Sequence, residues 1–242
     1  MILLLTGCIN PDGMAYTALS NAEERKKQYV NAIQFYLSHT NYPIVFTENS
    51  GNDITALFLD AISSGRLECL TFTGNQDKER GKGYGECEII QYTLENSQLI
   101  RKHKNQRIAK ITGRLIIRNI KTIVRIHVSI FTKRTTFCAI NTDLTFPDSR
   151  FIIASKEFYH TFLQKKESIN DTKGYYFELA LGDTIKKERQ FRFFPFLIMP
   201  RIEGQSGTTG VAFINQKMSW SFAMKYAKYA LSQYHRFYML YR

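Results

Sequence analysis

Two hydrophobic periods share this chain. Short apolar runs at Met1 to Thr6 and Ile44 to Phe46 are nearly continuous, as in buried strands, and Leu67 to Thr73 reads as a third strand. Between the first two, apolar positions recur at helical spacing through Tyr29, Ala32, Ile33, Tyr36 and Leu37. That pattern predicts a helix over Ala22 to His39, capped by Ser20 or Asn21, with Glu23, Glu24, Arg25, Lys26 and Lys27 on its wet side. A second helix is expected over about Ile54 to Ser63. Gly7, the turn Asn10-Pro11-Asp12-Gly13 and Pro43 punctuate the order. Strand, helix, strand, helix, strand with short connections implies an α/β fold with a mostly parallel, doubly wound sheet.

Past the third strand the glycines cluster. Gly81-Lys82-Gly83-Tyr84-Gly85 precedes a helix-like stretch, and a further strand ends at Thr112-Gly113-Arg114. Glycines there let backbone N–H groups approach an anion at a helix N-terminus, so Lys82, Lys110 and Arg114 are read as a diphosphate site. The plainer reading is a surface loop, since the motif is neither a Walker A loop nor a dinucleotide fingerprint. Ligands of such sheets bind at the carboxyl ends of the strands. The polar strand ends Thr6-Gly7, Glu48-Asn49-Ser50, Thr73-Gly74-Asn75 and Thr112-Gly113-Arg114 are therefore expected to line one crevice.

The pattern then changes. Arg107 to Ile117, Thr122 to Thr132 and Thr135 to Leu144 are β-branched and partly alternating, which predicts strands with at least one antiparallel partner. Phe151 to Ala154 reads as a strand, Glu157 to Gln164 and Tyr175 to Thr184 as helices, and Phe191 to Met199, with Pro195 inside it, as an edge strand. Gly204 to Gly210 is a polar loop. Ser219 to Arg242 is helical in pattern, basic and rich in Tyr; it packs on the sheet as a last core helix or lies in a lipid headgroup layer.

Composition narrows the partners. In 242 residues, 33 Lys and Arg against 21 Asp and Glu give +12, which favours an anionic ligand or surface. The cysteines Cys8, Cys69, Cys87 and Cys138 form no C-x-x-C pair and read as free thiols of a reducing compartment. The histidines show no zinc spacing. Leu4-Leu5-Thr6-Gly7-Cys8 imitates a lipoprotein signal but lacks the basic segment and a long enough apolar run. With no run of membrane-spanning length, the expected location is the cytoplasm, free or on the inner face of the plasma membrane.

In this order of elements, and in the segments Leu3 to Pro11, Pro43 to Ser50 and Lys110 to Leu115, the chain resembles GT-A-type glycosyltransferases of bacterial capsule and O-antigen biosynthesis. The resemblance implies a GT-A-like (Rossmann-like) single domain: a nucleotide-sugar-binding half over 1–120, an acceptor-side half over 121–215 and a basic aromatic helix over 216–242. It also implies an inverting, nucleotide-sugar-dependent enzyme, with a UDP-sugar donor and a lipid-linked cell-surface polysaccharide, lipopolysaccharide included, as acceptor. Thr6, Gly7, Glu48, Asn49, Ser50, Lys82, Gly83, Lys110, Gly113 and Arg114 would bind the donor. Glu178 would deprotonate the acceptor, and Asp148 and Arg150 would lie on the acceptor side. The plainer reading of Glu178 is a solvated helix face, and of Asp148 and Arg150 an internal ion pair. Where the family keeps Asp-x-Asp this chain has Thr112-Gly113-Arg114, so a guanidinium would neutralise the diphosphate without a metal. If Mg²⁺ or Mn²⁺ is used, Asp143 and Asp148 would hold it. Two alternatives stay open: a sugar-phosphate nucleotidyltransferase, and a basic nucleic-acid-binding protein without catalysis. The latter lacks any recognisable nucleic-acid-binding motif.

Overall fold

The structure, a computed structural model, describes residues 1–14, 17–103, 105–207, 209–213 and 219–241. A seven-stranded sheet runs through the molecule in the order β3-β2-β1-β4-β7-β6-β8. Its parallel part comprises β1 (Ile2–Gly7), β2 (Ile44–Glu48), β3 (Leu67–Thr71) and β4 (Ile108–Thr112). Strand β1 pairs in parallel with both β2 and β4, and every one of its residues is buried. That is why its sequence shows a continuous apolar run and no alternation.

The antiparallel extension is β7 (Pro147–Ala154) against β4, then β6 (Thr135–Ile140) against β7, closed by β8 (Arg192–Pro195) parallel to β6. Strand β8 lies at the sheet edge, where Pro195 removes no ladder bond from an inner strand. A second, three-stranded antiparallel sheet joins β5 (Ile116–Ile117), β9 (Ile202–Gln205) and β10 (Ala212–Phe213). The expected strand over Arg107 to Ile117 is thus two strands, β4 and β5, in different sheets. The expected polar loop over Gly204 to Gly210 belongs mostly to the β9–β10 hairpin; Thr208 lies outside the described residues.

Helices cover both faces. Helix α1 (Ala22–His39) starts where the Asn21 side chain accepts from Glu24 N, and two glutamates in its first turn complement the helix dipole. It buries Tyr29, Ala32, Ile33 and Tyr36 against the sheet, and the Tyr36 hydroxyl donates to Leu115 O and accepts from Ile117 N. Arg25, expected on the wet side, is buried. The next expected helix is a 3₁₀ turn (Thr55–Leu57) followed by the short α2 (Leu59–Ser63). Helices α3 (Lys82–Asn96) and α4 (Gln98–Lys102) follow the glycine-rich turn.

One segment is reversed in type. Thr122 to Thr132 is not a strand: α5 (Ile120–Ile130) occupies it and buries Ile120, Ile123, Val124 and His127 at helical spacing. His127 Nε2 accepts from Leu197 N, so Nδ1 carries the proton and donates to Ile123 O, and burial lowers the pKa of the ring. Helices α6 (Lys156–Leu163) and α7 (Phe177–Lys187) match their predicted segments to within three residues. Helix α8 (Trp220–Tyr241) packs a narrow stripe on β8, with Phe237 against Phe193 and Tyr234 against Phe194 at ring separations of 5.0 and 4.4 Å. Arg242 lies outside the described residues.

Candidate functional site

The strand order turns back between β1 and β4, and a cleft of about 870 Å³ opens above their carboxyl ends. Parallel sheets present their ligand crevice at such a switch point. Thr6, Gly7 and Thr112 form its floor. Gly113 makes the floor possible: its N–H donates to Thr6 O at 2.9 Å, and a Cβ there would lie 2.7 Å from the same oxygen. Gly113 itself is therefore a packing residue and not a donor contact.

Two arginines stand on one wall. Arg114 leaves β4 and donates through Nη1 to Gln205 O at 2.9 Å and to Gln28 Oε1 at 3.2 Å. Arg25 donates from Nε to Cys8 O at 2.7 Å, from Nη1 to Leu19 O at 3.0 Å and from Nη2 to the Tyr29 hydroxyl at 3.4 Å. Arg114 Nη2 presses on Gly207, and Arg25 Nη1 lies 3.8 Å from where a Gly207 Cβ would be. The two arginines, 6% and 7% exposed as residues, thus bring their guanidinium groups to the same glycine. Neither has a carboxylate partner among the described residues.

The glycine-rich turn holds an internal anion. Gly81 has φ +86°, which lets the chain turn into α3, and the Asp171 carboxylate sits over it. Gly83 N–H donates to Asp171 Oδ2 at 3.0 Å, and a Cβ on Gly81 or Gly83 would meet that carboxylate at 2.5 or 2.8 Å. The glycines here admit the chain's own carboxylate. Burial raises the Asp171 pKa against the pull of the Gly83 and Lys82 N–H groups and the Lys82 charge. Lys82 lines the cleft with its pKa pushed down to about 8, first by burial and then by Arg25 and Arg114, while Asp171 and Glu178 oppose the shift.

Lys110 is spent internally. It is 1% exposed, pairs with Glu86 and donates to Ser149 O at 2.8 Å, and Glu86 also accepts from Thr6 Oγ1 at 2.7 Å. The lysine borders the cleft as part of its frame. Glu178 opens α7 and accepts from Ser149 Oγ at 2.5 Å; burial raises its pKa, and it is not a solvated face residue. Asp148 and Arg150 form a two-pronged ion pair at 2.9 and 2.6 Å in the same wall, with the guanidinium 4.9 Å over Phe213.

Asp143 folds back on its own turn, accepting from Thr145 N at 2.9 Å, and does not line the cleft. Each cleft carboxylate already serves a protein donor: Asp148 Arg150, Asp171 Gly83, Glu178 Ser149, Glu86 Lys110. Among the described residues no three His, Cys, Asp or Glu gather as a metal site. Asp143 lies outside the cleft while Asp148 lines it, so the expected pairing of Asp143 with Asp148 around Mg²⁺ or Mn²⁺ is corrected.

The second strand end also departs from expectation. Glu48 is fully buried and accepts from Ile9 N, Ser50 N and Asn52 N at 2.8, 2.9 and 2.9 Å, so it ties loops together behind the cleft. Ser50 donates its hydroxyl to Glu48 and borders a separate polar hollow. Asn49 does line the cleft, in a reciprocal amide pair with Asn75 at 2.8 and 3.2 Å. Thr73 and Gly74 lie outside it. Of the residues first singled out, Thr6, Gly7, Asn49, Lys82, Gly83, Lys110, Arg114, Asp148, Arg150 and Glu178 share the cleft. Arg25 and Asp171 were missed. The signal for Arg25 was the apolar spacing of α1, on which it lies four residues before Tyr29.

No family model matches this chain, and no curated protein matches it. Among solved structures it is similar to a cytidylyltransferase from Leptospira borgpetersenii serovar Hardjo-bovis, at 10% identity over 96% of this chain and 95% of that one, TM-score 0.48. It is also similar to the inositol-1-phosphate CTP transferase from T. maritima, at 9% identity over 93% and 95%, TM-score 0.42. These likenesses concern the shape of the chain. One is described as a cytidylyltransferase and the other as a CTP transferase, neither as a glycosyltransferase, so the expected capsule and O-antigen glycosyltransferase finds no support among them. The UDP-sugar donor and the lipid-linked polysaccharide acceptor are likewise without support.

Proposed function

We propose that the cleft binds a nucleoside triphosphate and transfers its nucleotidyl group to the phosphate of a phosphorylated sugar. The observation that carries this reading is the pair Arg25 and Arg114, buried side by side on the cleft wall without a carboxylate partner among the described residues. Like charges held out of water cost several kcal/mol, on the order of magnitude known for buried ions, unless an anion joins them. Lys82 adds a third cation to the same hollow. A triphosphate supplies the matching charge, and the switch-point location supports a nucleotide by fold-level analogy.

The chemistry suits these side chains. An oxygen of the acceptor phosphate attacks the α-phosphorus, the bond from that phosphorus to the oxygen bridging to the β-phosphate breaks, and pyrophosphate leaves with the electron pair. The attacking phosphate is already anionic near neutral pH, so no base is required and Glu178 stays a structural acceptor for Ser149. Negative charge grows on the departing pyrophosphate, where Arg25, Arg114 and Lys82 donate to it.

The test is pyrophosphate release by the full-length protein from each of the four ribonucleoside triphosphates, supplied as Mg²⁺ complexes, with a panel of sugar phosphates. One nucleotide is expected to release pyrophosphate only when a sugar phosphate is present, with a new diphosphate ester seen by ³¹P NMR. Arg114→Ala should lower the rate about a hundred- to thousandfold. No release from any pair, or equal rates in Arg114→Ala, sinks the reading.

A further inference from the structure

The last helix carries chemistry that the cleft does not use. From Gly204 to Arg242 the sequence holds five Lys or Arg and not one Asp or Glu. Helix α8 turns Ala230, Gln233 and Phe237 inward. On its opposite side Trp220, Met224, Lys228, Leu231, His235 and Met239 follow one another at spacings of three or four residues, which aligns them in one stripe along the whole helix. The apolar members are exposed by 80% at Trp220, 50% at Leu231 and 73% at Met239. Lys225 and Arg236 flank that stripe and are exposed too.

We propose that this face of α8 seats the protein on an anionic lipid surface. An interfacial helix sinks Trp, Leu and Met side chains to the headgroup boundary while lysines and arginines meet lipid phosphates, and carboxylates are unwelcome there. All three features hold for this stripe. A second copy of the chain is the poorer occupant, because a two-fold contact would set Lys225, Lys228 and Arg236 of one copy against those of the other. No helix among the described residues is long and apolar enough to cross a membrane, so the helix lies on the surface and does not span it. The placement also has a consequence for the cleft. Arg236 donates to Thr142 O at 2.8 Å, in the β6–β7 loop whose Asn141 and Phe146 line the cleft wall. A surface-bound α8 therefore holds the cleft beside the membrane, whatever reaction the cleft performs.

Vesicle flotation of the full-length protein tests this directly. Phosphatidylcholine vesicles containing phosphatidylglycerol should carry the protein up, pure phosphatidylcholine vesicles should not, and added salt should weaken the binding. The exposed double variant Lys225→Ala/Lys228→Ala should bind roughly thirtyfold more weakly, from two lost surface charges. Leu231→Ser/Met239→Ser should weaken binding as well, with thermal unfolding unchanged from wild type in both variants. Three results overturn the proposal: equal binding to both vesicle types, a dimer by size exclusion that Leu231→Ser/Met239→Ser dissolves while vesicles are ignored, and binding of generic RNA that survives that apolar variant.

Discussion

Lys82 sits where burial and two guanidinium groups oppose its charge and two carboxylates support it. Below pH about 8 it is an ammonium ion; above that it is neutral. The groups that face it are Arg25 from α1, Arg114 after β4, Asp171 and Glu178. If it holds phosphate, nucleotide affinity should fall as pH rises through about 8, and the fall should vanish in Lys82→Arg, whose guanidinium stays charged. Calorimetric titrations on either side of that pH check it. For folding the sign is opposite. The unfolded lysine keeps its proton up to its ordinary pKa, so the folded state gains stability as pH climbs from about 8 toward that value. Glu48 makes a separate prediction. Glu48→Gln leaves an amide N–H₂ facing the donor Asn52 N or Ile9 N, and should cost about 1–3 kcal/mol in urea unfolding. Single side chains were the least legible part of the sequence. Arg114 could be placed because it ends a strand at a known kind of crevice, whereas Glu48, at an equivalent strand end, turned inward. Nothing local in Thr47-Glu48-Asn49 says which way the carboxylate points; the loop amides of Ile9 and Asn52 decide it.

Among elements, the glycine-rich start of α3 shows how a motif can be read rightly as an anion nest and wrongly as an empty one. Its amides are taken by Asp171 from the 3₁₀ turn Asp171–Lys173, far along the chain. Gly83→Ala would put a methyl 2.8 Å from Asp171 Oδ1 and 3.1 Å from both Ile169 Cγ2 and Phe177 N. The neighbours are a backbone nitrogen and a buried side chain that cannot swing away, so the variant should lose about 1–3 kcal/mol, as overpacked sites do. Chemical denaturation measures it, and an unchanged midpoint would contradict tight packing at the first turn of α3. Helix α5 teaches the complementary lesson. Its Ile, Val and Thr content imitates a strand, but Ile120, Ile123, Val124 and His127 repeat at three and four residues. Period outweighs β-branched composition when a segment is long enough to show both.

For the whole molecule, the alternation of strand and helix through the first three strands was sufficient to give a parallel sheet, whereas the switch between β1 and β4 emerges only from the strand order of the structure. The second sheet was not foreseeable, because β5 and β10 are two residues each and exist only through pairing with β9. That sheet matters to the cleft: Gln205, at the end of β9, accepts from Arg114 and so holds a guanidinium over the floor laid by β1 and β4. Charge at this scale agrees with the site, since a net +12 chain buries two arginines without carboxylate partners among the described residues where the strands end. The most direct test is isothermal titration of the wild-type protein and of Arg25→Ala and Arg114→Ala with the four nucleoside triphosphates. One nucleotide should bind the wild type at one per chain, and each variant should bind it at least about tenfold more weakly, the loss typical of one charge-assisted hydrogen-bonded contact. Absence of binding by all four, or identical affinities in the three proteins, would contradict the account.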